Sequence, residues 1–157
     1  MQKIVTYLWF DHQAEQAAEL YTSLFESSRI THVQRYGDAG PGPAGTAMMV
    51  AFELAGQEFL ALNGGPQYKF TEAVSLFVKC KDQKEVDRLW KKLTEGGQEQ
   101  PCGWLKDRFG LSWQIIPDAL TRLMSDPDPE KAGRVVQAML QMSKIDVAGL
   151  EKAYAGR

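Results

Sequence analysis

Histidine is nearly missing from this chain: of its 157 residues only His12 and His32 carry an imidazole. A bound transition metal ordinarily draws on several imidazole, thiolate or carboxylate ligands, so the scarcity removes the commonest metal donor. His12 falls in the first turn of an expected helix and His32 in an expected strand, and spacing assigns neither to a Ser-His-Asp arrangement. Cysteine is as scarce. Cys80 and Cys102 form neither a CxxC pair nor a disulfide framework. A reducing, cytoplasmic compartment is therefore expected. Cys102 reads either as a small buried thiol or as a nucleophile with no base placed beside it. Charge of one sign is lacking too: 18 basic and 20 acidic residues are interspersed, for a net charge of −2. That balance offers no footprint for nucleic acid and no polybasic membrane patch. No segment approaches the ~20 apolar residues of a membrane span, and Met1-Gln2-Lys3-Ile4 lacks the apolar run of a secretory leader.

What is present suits one soluble globular domain, residues 1–157, with 44% apolar and 24% charged residues. Lys3–Phe10 is rich in β-branched and aromatic residues and predicts a strand. Asp11 is a candidate N-cap for a helix carrying Ala14, Ala17, Ala18, Tyr21, Leu24 and Phe25 at helical spacing. A strand at Arg29–Tyr36, a loop at Gly37–Gly45 with four glycines and two prolines, and strands at Thr46–Leu54 and Glu58–Leu62 follow. The order then repeats: a strand at Val74–Cys80, a helix capped by Asp82 with Glu85 three residues on, and strands at Gln98–Leu105 and Leu111–Ile116. The chain thus predicts βαβββ twice, at about 3–66 and 74–117, in an α+β fold. A helical tail, 118–157, belongs to neither repeat. Asp118–Met124 starts it, Pro127 and Pro129 punctuate it, Val135, Val136, Met139, Leu140 and Met142 form one stripe, and Asp146 precedes a last helix.

The most informative stretch is Cys102-Gly-Trp-Leu-Lys-Asp-Arg-Phe-Gly-Leu-Ser-Trp-Gln-Ile-Ile-Pro117. It predicts a β-hairpin, with Asp107–Gly110 as the turn, Gly110 free to take positive φ, and Pro117 ending the return strand. Strand alternation puts Gln114 on one face with Ser112 and Ile116, and Trp113 and Ile115 on the other. Gln114 is then either a satisfied polar residue of a two-sided strand or, with Ser112, part of a pocket lining.

This hairpin resembles that of the PhnB-like branch of the vicinal-oxygen-chelate (glyoxalase/bleomycin-resistance/dioxygenase) superfamily, where C-G-W-L-x-D-x-[FY]-G-x-S-W-Q is typical. The likeness extends to Tyr7–Asp11, Ala39–Gly45, Leu62–Pro66, Ala138–Met142 and Lys144–Asp146. The resemblance implies two modules whose strands form a cupped mixed sheet with helices outside, plus C-terminal helices, and a homodimer. It places the superfamily's metal-ligand positions at Thr6, Asn63, Ser75 and Gln114, none of which carries an imidazole, thiolate or carboxylate. The cup is accordingly expected to hold no metal and no cofactor. Its walls are Leu8, Phe10, Leu76 and Ile116, its polar groups Thr6, Asn63, Ser75, Ser112 and Gln114, with Trp104 beside them, and it carries no fixed charge. The function implied is metal-independent binding of a small molecule. The alternative is an enzyme, metal-dependent or the 3-demethylubiquinone-9 3-methyltransferase whose label relatives carry. For the latter, no glycine-rich turn follows the first strand to meet S-adenosylmethionine.

Overall fold

The computed structural model describes residues 2–157. Its first unit contains β1 (Thr6–Phe10), α1 (Ala14–Leu24), β2 (Arg29–Arg35), β3 (Ala47–Leu54) and β4 (Gln57–Asn63). The four strands form one sheet in the order β1-β4-β3-β2, parallel between β1 and β4 and antiparallel elsewhere. α1 buries Ala14, Ala17, Ala18, Tyr21 and Leu24, an apolar stripe at helical spacing. Tyr21 lies against Phe52, which stacks on Phe59 at 5.4 Å. Leu8, Phe10, Val50 and Ala61 complete the core. Each such side chain contributes about 1.5–3 kcal/mol on leaving water, Ala less.

The second unit repeats the topology. β5 (Ser75–Cys80) leads to α2 (Gln83–Thr94), β6 (Gln98–Glu99), β7 (Trp104–Lys106) and β8 (Ser112–Pro117). The sheet order is β5-β8-β7-β6, and again the first and last strands are parallel. Asp82 caps α2 as expected, accepting from the Glu85 N–H at 2.9 Å, while Glu85 accepts from the Lys81 N–H. α2 buries Val86, Leu89, Trp90 and Leu93 against the sheet face that carries Leu105, Trp113 and Ile115.

The tail forms α3 (Asp118–Met124), α4 (Pro129–Met139) and α5 (Val147–Tyr154). Leu120, Leu123, Val135, Ile145 and Leu150 pack on Ile116 at the end of β8. Gln83 of α2 fixes the segment before α5, donating to Ile145 O and accepting from the Val147 N–H.

Three expectations need correction. The first strand starts at Thr6 rather than Lys3. The strand expected over Gln98–Leu105 is broken by a 3-10 turn at Pro101–Gly103. Pro101 has no N–H for a ladder, Cys102 is left-handed at φ 64°, and its N–H goes to Met142 O in the tail. A Cβ on Gly103 would lie 2.8 Å from Ile116 Cδ1, so only glycine lets the turn sit that close to the tail's core. Finally, Asp11 caps nothing. α1 starts at Ala14, whose N–H donates to Asn63 Oδ1 at 2.8 Å, so the cap comes from the far end of β4.

Candidate functional site

The second sheet has a helix-packed face and an open one. On the open face the register sets two rows of three side chains across β7, β8 and β5. One row is Lys106, Ser112 and Ser75; the next is Trp104, Gln114 and Phe77. Gln114 Nε2 donates to Ser75 Oγ at 3.0 Å, so the two are on one side. Ser112 is fully buried, and its hydroxyl has no hydrogen-bond partner among the described residues. Trp104, Gln114 and Ser75 are half-buried and Phe77 is exposed. Ile116, next on this face, is covered by the tail helices.

The hairpin turn holds these rows in place. Asp107 is buried; Oδ1 accepts from the N–H groups of Phe109 and Leu111, and Oδ2 from the Trp113 indole at 2.9 Å. Gly110 has φ 91° and donates to Asp107 O, as the turn chemistry requires. Fixing Trp113 on the helix side fixes Ser112 and Gln114 on the open side, since strand neighbours alternate. Asp107 is thus the structural turn residue, and its neighbour Lys106 is the one that reaches the open face.

Lys106 overturns the expectation of an uncharged lining. Its Nζ lies 3.0 Å from Glu72 Oε1, and the lysine hydrogen bond holds the Glu72 carboxyl below the usual carboxylate range. The signal was in the sequence: Lys106 is two residues from Trp104, so the two share a face.

Thr6 and Asn63 lie elsewhere. They face α1 in the first unit, with Leu8 and Phe10: Thr6 is in register with Phe59, and Phe10 with Asn63. Both Asn63 amide groups are occupied, Oδ1 by the Ala14 N–H and Nδ2 by Ala47 O. Leu8 and Phe10 are therefore core, not pocket walls. The residues of β1 on the open face are one position on, Tyr7 and Trp9, in register with Leu60 and Leu62. Leu76 likewise pairs with Trp113 on the helix-packed face of the second sheet.

Comparison with known proteins places this architecture. Residues 2–116 match the family model described as 3-demethylubiquinone-9 3-methyltransferase. The chain belongs to this family. The PhnB protein from Bacillus cereus is 38% identical, over 74% of this chain and 99% of that one, with a TM-score of 0.70. Protein PA1353 from Pseudomonas aeruginosa shares the fold at 22% identity, over 74% of this chain and 98% of that one, with a TM-score of 0.61. No curated protein matches. The chain is PhnB-like, as its motifs imply. The likeness expected through Asp146 exceeds the family match, which stops at 116 and leaves out the tail.

The family's description implies a methyl donor such as S-adenosylmethionine, and these residues do not fit one. Two of the four glycines of the 37–45 loop are used on Tyr36: a Cβ at Gly42 would lie 2.4 Å from its ring and one at Gly40 3.0 Å. Tyr36 N–H donates to Thr46 O and Gly45 N–H to Tyr36 O, closing the loop on that ring, and its hydroxyl donates to Asn63 O. The loop joins β2 to β3, with no helix start to meet an anion. A metal fits no better. The four implied positions are neutral and two face a helix, and no group of three or more His, Cys, Asp or Glu side chains gathers among the described residues.

Proposed function

We propose that the protein binds a small molecule on the open face of its second sheet, without a resident metal ion. One observation carries this: Ser75, Gln114 and the unpartnered hydroxyl of Ser112 share that face, beside Trp104 and Phe77. A few polar groups among aromatic ones is the usual composition of a small-ligand site. Neutral hydroxyl and amide donors also suit an organic ligand better than a transition metal. Thr6 and Asn63 leave the proposed lining, which is Ser75, Trp104, Ser112 and Gln114 with Lys106. The test is a small-molecule thermal-shift screen of the wild type and Gln114→Leu, with elemental analysis of the purified protein. Hits weakened by the substitution and no stoichiometric metal support the reading. Hits indifferent to it, or a tightly held metal whose removal abolishes binding, would refute it.

Three further parts of the reading are proposed with it. Action as one domain would give a single cooperative thermal transition. Homodimerisation is supported by the exposed Ile4, Tyr7 and Tyr68 of the first unit and is read by light scattering. A cytoplasmic location is supported by two free thiols.

A further inference from the structure

Lys106, Ser112 and Ser75 stand side by side on three neighbouring strands, and each brings a hydrogen-bond donor. The lysine ammonium has three. Ser112 is fully buried with its hydroxyl unpartnered. Ser75 accepts from Gln114 and keeps its own hydroxyl proton to give. If position 112 needed only a small buried side chain, alanine would fill it without stranding a polar group. The carboxylate that meets Lys106 is that of Glu72, in the turn before β5, with its side chain 52% exposed. An ion pair that exposed is weak, so another anion can take its place. The neighbouring row, Trp104, Gln114 and Phe77, sets two aromatic rings on either side of an amide.

We propose that Lys106, Ser112 and Ser75 form an oxyanion subsite. It would receive a carboxylate, phenolate or phosphate group of a ring-bearing ligand, and Glu72 occupies Lys106 until that ligand displaces it. The proposal rests on the binding face proposed above. Three donors in one row across neighbouring strands favour a group with several acceptor oxygens, and charge-assisted bonds reward an anion over a neutral isostere. Trp104 and Phe77 would hold the ring.

Calorimetric titration of the full chain with sodium benzoate and with benzamide tests it, because the two probes have nearly the same shape and differ in charge. Benzoate should bind about tenfold tighter than benzamide. Glu72→Gln should strengthen benzoate severalfold and leave benzamide unchanged, since only the anion competes with Glu72. Lys106→Met should abolish the preference and Lys106→Arg should keep it; melting curves establish that each variant is folded. Equal binding of the two probes, with both weakened by Gln114→Leu, would overturn the subsite and leave the binding face standing. The subsite also fails if benzoate ignores Lys106→Met, weakens in Glu72→Gln, or gives no binding up to about 10 mM.

Discussion

The two modules share a strand order and a parallel pairing, yet they use equivalent positions for opposite ends. Phe10 is in register with Asn63 at the end of the first sheet, and Cys80 with Pro117 at the end of the second. In the first module the polar residue at that point caps α1, because Gln13 supplies no side-chain cap. In the second, α2 has its own cap in Asp82, and a proline fills the position. The open faces diverge as well. The first shows Tyr7 and Trp9, with Trp9 edge-on to Tyr68 and donating to Gly65 O. The second shows Ser75, Gln114, Ser112 and Lys106. Repetition of topology settles which face of a sheet is free, whereas the side chains decide whether that face packs or binds.

Substitutions can break or sharpen this contrast. The largest expected effect is at Asp107. Asp107→Ala would strand two backbone N–H groups and the Trp113 indole, so it should cost about 3–5 kcal/mol in chemical denaturation and abolish binding through loss of the hairpin. A cost below about 1 kcal/mol would show that the turn does not organise the second module. Asn63→Ala comes next, at about 1–3 kcal/mol, with ligand affinity unchanged. Loss of affinity there would return Asn63 to the site and erase the division of labour. Gln114→Leu should do the reverse: a stability change within about 1 kcal/mol and a clear loss of affinity.

The smallest effect concerns the two thiols of the second unit. Burial, with the charges of Glu85 and Asp118 behind it, pushes the Cys80 thiol up to about 12. Its folded pKa is raised, so its contribution to stability is whole below the unfolded value near 9 and is lost as pH climbs toward 12. At pH ~8 a thiol reagent should therefore label Cys102 alone in the native protein and both cysteines after denaturation. Equal labelling of both in the native protein would contradict the burial of Cys80.

The sequence carried the element order well because both modules advertise it. Helical stripes at Ala14–Leu24 and Val86–Leu93, the Asp82 cap and the Asp107–Gly110 turn are all local signals. Alternation within the strand set Gln114 and Ser112 on one face, and the structure adds the Ser75 bond from the neighbouring strand. What failed was not local. The cap on Ala14 comes from Asn63, 49 residues away, and no nearest-neighbour pattern reveals it. The break at Cys102 depends on the tail, whose Met142 and Ser143 carbonyls accept from Cys102 and Gly103. Thr6 was misplaced by a single residue, enough to move a side chain to the other face of a strand. For Lys106 and Asp107 beside Trp104 the turn reading outweighed a functional one, and it holds for Asp107 while Lys106 reaches the open face.

The central claim is that the second sheet's open face binds and the first module's polar residues only build. A paired titration tests it most directly, using one hit from the thermal-shift screen against Gln114→Leu and Asn63→Ala. The account predicts that Gln114→Leu weakens the hit at least about tenfold with little change in melting temperature, while Asn63→Ala lowers the melting temperature and leaves affinity alone. Affinity lost in Asn63→Ala and kept in Gln114→Leu would contradict it.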